Sequence, residues 1–386
     1  MEHITLKDNF FGKYGNRENQ PVLFFSPGRV NMIGEHTDYN GGYVFPCALN
    51  YGTYLAARKT PDGILKFSTL NFNEDRNTVL KEPLAPEGKS WINYPLGVIH
   101  EFLRKGIRLS GIELLFYGDV PNGAGLSSSA SIEMVTAVAI NEMFDAGLST
   151  LDLVRMCQRA ENEFVGMNCG IMDQFAVGFG KKDHALFLNC DTLDYENVPL
   201  ILKDHSLIIT NTNKRRGLTD SKYNERRSEC EKAAGLLQKY KKIRNLSELE
   251  TSDISKLENY IEDSVVLKRA RHVISENGRV IEAVNTLKDN NILRFGELMN
   301  MSHDSLKNDY EVTGDELDTL VYEGRKLPGV VGTRMTGAGF GGCTVSIVTK
   351  EHVSDFISIL GKIYNKKTGL SADFYQPEIS GGAGRY

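Results

Sequence analysis

The sequence predicts a mixed α/β protein of the α+β class, built as two lobes. Its 386 residues exceed one ordinary core, since a domain typically takes about 150 residues. Up to about residue 200 the chain is rich in glycine and in strand-like patterns, whereas residues 219–325 are charged and mostly helical in pattern. We therefore assign 1–200 to one lobe and 201–386 to the other. No low-complexity linker separates them, so a cleft between the lobes is the expected binding site.

A strand, a glycine-rich loop and a buried helix follow one another in the first lobe. Residues 112–117 alternate as a strand does, and residues 118–125 interrupt this pattern. From Ser129 the apolar residues lie on nearly every face, which predicts a buried helix of about four turns. The same reasoning predicts a helix at residues 151–165 and a compact turn at 169–174. It also predicts strands at 185–188 and 343–348.

Composition and charge exclude several classes of function. The chain is 41% hydrophobic and 25% charged, and it has no apolar run near the roughly 20 residues of a membrane span. Its first fifteen residues lack the features of a secretory signal, which predicts a cytoplasmic protein. A net charge of -5 without clustered basic residues predicts no nucleic-acid partner. The six cysteines have no zinc-binding spacing. We expect the protein to be a monomer or a weak dimer.

A phosphate-binding loop is predicted at residues 118–131, GDVPNGAGLSSSAS. Gly123 and Gly125 let an anion approach the backbone, and the free N–H groups at the start of the following helix favour negative charge. The hydroxyls of the serine run that ends at Ser129 can bind phosphate oxygens or a magnesium ion. No lysine is present, so the segment departs from the Walker A pattern. The alternative is a simple turn with a serine helix cap.

Residues 26–42, SPGRVNMIGEHTDYNGG, place several polar side chains among glycines. Carboxylates and an imidazole fixed on a turn are suited to binding the hydroxyls of a polyol. Arg29 offers a planar fork for a phosphate or a carboxylate. A metal site and a purely structural turn are the alternatives, although the spacing of the acids and the histidine matches no familiar ligand set.

Residues 160–174, AENEFVGMNCGIMDQ, carry two further acids of interest. Asp173 follows a glycine-containing turn and can take a proton from an attacking hydroxyl, or align it during phosphoryl transfer. Glu161 ends a helix and is a candidate magnesium ligand. The alternative for each is a solvent-facing or helix-capping acid.

Residues 337–342, GAGFGG, match the dinucleotide-binding pattern G-x-G-x-x-G. That fingerprint follows a strand and opens a helix, whereas this segment precedes the strand-like CTVSIV. We therefore expect a mobile or close-packed glycine loop that reaches toward the cleft.

The three polar segments, in this order, resemble the signature motifs of the GHMP small-molecule kinases. Within that family, GRVNMIGEHTDYNGG looks like the signature of the galactokinases, and GLSSSAS, CGIMDQ and GTRMTGAGFGGC extend the match over residues 26–345. The resemblance implies an N-terminal lobe similar to ribosomal protein S5 domain 2 and a C-terminal ferredoxin-like lobe, with the site between them.

The resemblance also implies a role for individual residues. The catalytic pair would be Asp173 and Arg29, and the sugar would contact Glu35, His36, Thr37, Asp38 and Tyr223. The ATP phosphate loop would comprise Gly123, Ala124, Gly125, Leu126, Ser127, Ser128 and Ser129, with a further nucleotide contact at Ser68 or, alternatively, Thr69. Magnesium would bind Ser129 and Glu161.

The implied reaction is transfer of the terminal phosphoryl group of Mg-ATP to the anomeric hydroxyl of galactose. Two alternatives stay open at this point. One is a kinase for a related substrate such as N-acetylgalactosamine, arabinose or mevalonate, and the other is a non-catalytic galactose sensor.

Overall fold

The computed structural model describes residues 3–81, 83–121, 125–214 and 219–386. Its α-helices are α1 (His3–Tyr14), α2 (Asn93–Arg104), α3 (Ser128–Met143), α4 (Thr150–Arg159), α5 (Met172–Phe179), α6 (Thr219–Leu237), α7 (Ser264–Lys288), α8 (Ile292–Ser305), α9 (Asp315–Gly324) and α10 (Val353–Thr368). Its strands are β1 (Val22–Asn31), β2 (Tyr43–Val44), β3 (Pro46–Thr60), β4 (Ile64–Thr69), β5 (Arg76–Val79), β6 (Gly111–Gly118), β7 (His184–Asn189), β8 (Tyr195–Pro199), β9 (His205–Asn211), β10 (Val330–Thr336), β11 (Cys343–Thr349), β12 (Asp373–Tyr375) and β13 (Gly384–Arg385).

The first sheet has the strand order β13-β1-β3-β6-β4-β5. Successive side chains of each strand point to opposite faces of the sheet, and both faces of this sheet are apolar. One face packs with α2, α3, α4 and α5 in a large core, and the other is covered by α1 through Leu6 and Phe10. The register of β1 against β3 shifts between Pro27 and Arg29, so the strand is irregular at the start of the polar segment of residues 26–42.

The second sheet has the order β10-β11-β9-β12, and a small third sheet has the order β2-β7-β8. On β9, Ile208 packs against α9 and α10, whereas Leu207 and Ile209 face the core formed by α7 and α8. The two-residue strand β13 pairs with β1, so the end of the chain returns to the first sheet. The lobe boundary at residue 200 stays a prediction. The pairing of β13 with β1 adds residues 384–385 to the sheet of the first lobe. No helix of the described residues is long and apolar enough to cross a membrane.

Most of the predicted elements are present. The strand at 112–117 is β6, the buried helix is α3, and the strands at 185–188 and 343–348 are β7 and β11. The helix predicted at 151–165 divides into α4 and a wider π-helical turn, Ala160–Val165.

The compact turn predicted at 169–174 is wrong in its second half. Helix α5 begins at Met172, which puts Asp173 in its first turn. The prediction missed the helix start because the glycine-rich residues before Met172 hid the apolar pattern that follows them. An aspartate in the first turn of a helix is favoured by the helix dipole, so this placement also stabilises the carboxylate.

Removing a buried carboxylate from the first sheet should destabilise the fold strongly. Glu113 accepts hydrogen bonds from Arg58 at 2.7 and 2.9 Å, and both side chains are 1% exposed. Glu113→Ala leaves the Arg58 guanidinium buried without its carboxylate, which costs about 3–5 kcal/mol. Urea unfolding monitored by circular dichroism measures the loss. The matched control, Glu142→Ala, breaks an exposed pair with Arg385 and should cost less than about 1 kcal/mol; equal losses in the two variants would contradict the assignment.

Candidate active site

A cavity of about 410 Å³ lies where the polar segments of the sequence meet. Side chains far apart along the chain converge there, which is the arrangement expected of a small-molecule site. Seven of the residues singled out in the sequence line the cavity: Arg29, Glu35, His36, Asp38, Glu161, Asp173 and Tyr223.

Asp173 is held from two sides. The guanidinium of Arg29 donates through Nε to Oδ1 and through Nη2 to Oδ2, each at 2.8 Å. The hydroxyl of Ser127 donates to Oδ2 at 2.5 Å. A bidentate pair of this kind fixes the direction of a carboxylate as well as its position. The side chain of Asp173 is still 25% exposed, so part of it stays free for a ligand hydroxyl.

Arg29 also connects the predicted phosphate loop to β1. Its Nη1 donates to the carbonyl of Gly125 at 2.7 Å, and its backbone N–H donates to the carbonyl of Leu126 at 3.1 Å. The preceding residue has to be glycine, because a Cβ at Gly28 would lie 2.6 Å from the oxygen of Leu126. The close approach of these backbones places the start of α3 beside Asp173.

Glu35 connects the polar turn to the glycine-rich loop. Its Oε1 accepts a hydrogen bond from the N–H of Gly337 at 2.6 Å, and its Oε2 lies 3.0 Å from Nη2 of Arg334 and also accepts from Asn31. Burial raises the pKa of Glu35, and the Arg334 guanidinium opposes that rise. The expectation of a glycine loop that reaches the cleft is therefore confirmed, because Gly337 and Ala338 line the cavity.

His36 and Asp38 occupy the tip of the turn after β1. His36 has a φ of 63°, a left-handed conformation that histidine adopts more readily than most residues. Burial lowers the pKa of His36 to about 3, so its ring is neutral. Burial, and then the neighbouring Asp173, raise the pKa of Asp38 to about 6. The carboxylate of Asp38 packs so closely on Gly170 that a Cβ there would lie 1.9 Å from Oδ2.

Tyr223 lies in the cavity, but the side chain of Thr37 does not line it. The ring of Tyr223, on α6, packs 5.7 Å from His36 and 5.2 Å from Tyr39 between centroids. The hydroxyl of Thr37 is buried within 2.8 Å of the carbonyls of Gly34 and Tyr43. The side chain of Thr37 therefore holds the turn together through backbone carbonyls, and its contact with a ligand stays a prediction.

A second group of carboxyls lies beside Asp173. Burial, and next Asp173, raise the pKa of Glu161 to about 7, while the hydroxyl of Ser129 acts to lower it. Gln174 donates from Nε2 to Glu161 at 2.6 Å and to Glu133 at 3.1 Å. Burial and the adjacent Glu161 hold the pKa of Glu133 well above its usual range.

Sequence reasoning missed Glu133 and Gln174. Glu133 lies four residues after Ser129 on the predicted helix, and this spacing puts both side chains on one face. Gln174 directly follows Asp173. The helical spacing and the adjacency to Asp173 were both visible in the sequence. Each is too common to single out a residue without the observed contact between Gln174 and the two glutamates.

The remaining predicted nucleotide contacts divide into three groups. Ser128 is exposed at the first position of α3, whereas Leu126 is buried. Ser68 and Thr69 line a separate depression of about 480 Å³ beside α1, where Ser68 accepts a hydrogen bond from Tyr14 at 2.8 Å. Neither of these two residues borders the cavity that holds Asp173. Gly123 and Ala124 lie outside the described residues.

The oxygen donors of this site fit a magnesium ion. Ser129 and Glu161 supply a hydroxyl and a carboxylate, and Mg²⁺ commonly binds through one or two protein oxygens together with phosphates and water. Oε1 of Glu133 is buried and makes no hydrogen bond in the described part of the chain, so an oxygen close to Glu161 is left without a partner. No cluster of three or more His, Cys, Asp or Glu side chains with metal-binding geometry is found among the described residues.

Three family models match the chain. The galactokinase galactose-binding signature covers residues 8–59, the GHMP kinases N terminal domain covers 93–181, and the GHMP kinases C terminal model covers 280–366. The galactokinase of Fusobacterium nucleatum is 53% identical to this chain, with 94% of each chain covered. The galactokinase of Bacillus subtilis is 50% identical, with 98% of this chain and 97% of the relative covered.

Solved structures agree with these matches. A Lactococcus lactis galactokinase complexed with galactose superposes with a TM-score of 0.96 at 43% identity, covering 99% of both chains. A mevalonate kinase at 20% identity has a TM-score of 0.69, with 93% of this chain and 99% of the other covered, and it shares the fold. The mixed α/β GHMP kinase fold predicted from the sequence is confirmed by these structures. With relatives this similar over nearly its whole length, the chain belongs to the galactokinase family of the GHMP kinases.

Proposed function

We propose that the protein transfers the γ-phosphoryl group of Mg-ATP to the anomeric hydroxyl of D-galactose, giving galactose 1-phosphate and ADP. The observation that carries the proposal is the Asp173 carboxylate, fixed by Arg29 and Ser127 and partly exposed in one cavity with Glu35, His36 and Asp38. Galactokinases about 50% identical over nearly the full length support the same reaction.

The sugar-binding part of the cavity offers both acceptors and donors. Asp38, when ionised, accepts hydrogen bonds from sugar hydroxyls, and the neutral His36 can donate one. The ring of Tyr223 supplies an apolar surface for the C–H face of the sugar. Glu35 is buried and fully engaged with Gly337 and Arg334, so it shapes this wall and presents only a small part of its carboxylate.

Asp173 acts on the hydroxyl that attacks. Its carboxylate accepts the hydrogen of the anomeric hydroxyl, which directs an oxygen lone pair at the γ-phosphorus for in-line displacement. The Arg29 guanidinium lies between Asp173 and the phosphate loop, where its charge offsets the negative charge on the moving phosphoryl group.

The nucleotide phosphates lie against the loop that ends in the serine run. The N-terminal end of α3 favours negative charge, and the exposed Ser128 adds a hydroxyl donor beside it, whereas the hydroxyl of Ser127 donates to Asp173. Ser129 and Glu161 would hold Mg²⁺, which neutralises charge on the phosphate oxygens when bound. The cytoplasmic location and the monomeric or weakly dimeric state remain predictions.

Replacing Asp173 with Asn should nearly abolish turnover. Asp173→Asn keeps the shape of the side chain and removes the proton acceptor, so kcat should fall by about 10²–10⁴-fold. Coupled detection of ADP, with galactose, N-acetylgalactosamine, arabinose and mevalonate as acceptors, measures the loss and the substrate preference together. The control Asp194→Asn changes an acid bonded to Thr192 in a turn and should be fully active. Near-normal activity of Asp173→Asn would reject this role.

Replacing Gly170 with Ala should weaken galactose binding selectively. The new Cβ would lie 1.9 Å from Asp38 Oδ2, so the carboxylate has to move. We expect the KM for galactose to rise by about tenfold or more while the KM for ATP changes little. Steady-state kinetics with each substrate varied in turn provides the measurement. The control is Gly235→Ala in α6, where a Cβ meets no atom within 4 Å and both KM values should be unchanged. An unaltered galactose KM in Gly170→Ala would show that Asp38 does not contact the sugar.

Galactose affinity should fall in mild acid because of Asp38. Above its pKa of about 6 this carboxyl is an ionised acceptor, and as the pH falls through that value it takes a proton and loses charge-assisted hydrogen bonds. His36 stays neutral throughout, since its pKa is about 3. We expect the dissociation constant for galactose to rise about tenfold between pH 7 and pH 5. Calorimetry without nucleotide avoids the ionisation of ATP, and a flat profile over this range would contradict the role of Asp38.

A further inference from the structure

A chain of hydroxyl groups leads from the helical part of the protein to the sugar-binding turn. Nδ1 of His36 lies 2.8 Å from the hydroxyl of Tyr39, which lies 2.7 Å from the hydroxyl of Tyr310. Sγ of Cys230 lies 3.1 Å from the same Tyr310 hydroxyl. His36, Tyr310 and Cys230 are buried, so water does not compete for these contacts. We call Tyr310, Tyr39 and His36 the hydroxyl relay.

The rings of the relay are also packed against one another. Tyr310 lies between two imidazoles, with its centroid 4.8 Å from His36 and 4.5 Å from His272. The ring of Tyr39 lies 5.9 Å from His36 and close to perpendicular to it. This packing fixes the position of each phenol ring. Rotation of a ring about its own axis leaves the hydroxyl oxygen in place, so the hydroxyls stay in line.

The other ring nitrogen of His36 has no partner. Nε2 is buried and makes no hydrogen bond to any part of the chain that the structure describes. His36 nevertheless lines the cavity that holds Asp173. A buried polar atom without a hydrogen bond destabilises the folded protein, and a hydrogen bond removes this penalty. Nε2 is therefore the nitrogen of His36 that is left for a ligand.

The direction of the relay decides whether Nε2 carries a proton. The neutral ring of His36 has a single N–H, on one nitrogen or the other. A phenol is a stronger acid than a neutral imidazole, and an imidazole nitrogen is a better acceptor than a phenol oxygen. The stronger arrangement therefore has the hydroxyl of Tyr39 donating to Nδ1, with the hydroxyl of Tyr310 donating in turn to the oxygen of Tyr39.

A nearby carbonyl supports the same direction. The backbone carbonyl of Ala338, on the cavity wall, opposes the fall in the pKa of His36 that burial causes. A carbonyl oxygen attracts an N–H group, so its presence favours a proton on Nε2, although it forms no hydrogen bond with that nitrogen and leaves the N–H for a ligand.

We propose that Tyr39 and Tyr310 are positioning residues that keep His36 in its Nε2–H tautomer, so that its one N–H is presented to an oxygen of the sugar. The identity of the ligand rests on the proposed function. The tautomer itself is a property of the free protein, so the two can fail separately.

The tautomer can be observed directly in the wild-type protein. Nitrogen-15 labelling of the histidines gives chemical shifts that distinguish a protonated nitrogen, a free nitrogen and a nitrogen that accepts a hydrogen bond. His36→Asn identifies the resonances, because asparagine also tolerates the left-handed backbone at this position. We expect a protonated Nε2 and a hydrogen-bonded, unprotonated Nδ1 that persist from pH 8 to pH 5. A protonated Nδ1 would overturn the proposal, whatever the activity of the enzyme.

Removing the hydroxyls one at a time tests the order of the relay. In Tyr39→Phe the Nδ1 resonance should move to the position of a nitrogen without a hydrogen bond, and in Tyr310→Phe it should move a smaller distance in the same direction. The matched control is Tyr240→Phe, which removes a hydroxyl that donates to Asp253 at 2.7 Å in another part of the protein. The control should leave the resonance in place. An unchanged Nδ1 in Tyr39→Phe would overturn the proposal.

Kinetics of the same variants test the link to the sugar. In Tyr39→Phe the KM for galactose should rise about 5- to 10-fold, as expected for loss of orientation of one hydrogen bond, while kcat and the KM for ATP stay within about twofold. Singly deoxygenated galactoses then identify the hydroxyl concerned, since its removal should weaken binding to the wild type more than to Tyr39→Phe. Equal losses in both proteins for every analogue would overturn the contact with the sugar. Absence of phosphoryl transfer in the wild type would instead reject the proposed function and leave the tautomer standing.

Discussion

The guanidinium of Arg29 is the contact on which the site depends. One side of it binds both oxygens of Asp173, and Nη1 binds the carbonyl of Gly125 in the phosphate loop. A single planar cation thus sets the distance between the proposed catalytic carboxylate and the backbone of the proposed phosphate loop. Lysine could supply the charge but not this geometry, because its ammonium group has no fixed fork.

Glu35 performs a comparable task between the polar turn and the C-terminal part of the chain. Its two oxygens are divided between the backbone of Gly337 and the guanidinium of Arg334, and Arg334 also donates to the carbonyl of Asn31. A buried ion pair of this kind contributes little net stability, but it allows very few alternative arrangements. The turn after β1 and the glycine loop are consequently held in one relative position without a ligand.

Much of the site could be predicted because its chemistry is concentrated in short segments. Arg29, His36 and Asp38 lie within ten residues of one another. Asp173 was singled out because it follows a glycine-containing turn. Such a concentration of polar side chains among glycines is unusual for packing alone, so it indicated a site before the fold was known. The buried strand of residues 112–117 and the helix after it were equally clear, because apolar periodicity is a strong local signal.

The residues that support the site were not predictable in the same way. Arg334 lies in a strand, Glu133 in an α-helix and Tyr310 in a π-helical turn, and only tertiary contacts connect them to the residues of the site. Thr37 was assigned to the ligand from the family resemblance, whereas the turn directs its hydroxyl to backbone carbonyls. Neighbours on a tight turn point in different directions, so sequence adjacency alone does not predict a shared contact.

The pairing of β13 with β1 has a consequence for how the chain is made. Strand β1 carries Arg29, yet its outer neighbour in the sheet consists of Gly384 and Arg385, which lie far away along the chain. This pairing cannot form until residues 384–385 have been synthesised, so that edge of β1 stays open while the intervening chain folds. The sheet that bears Arg29 is therefore completed by a segment made long after the strand itself.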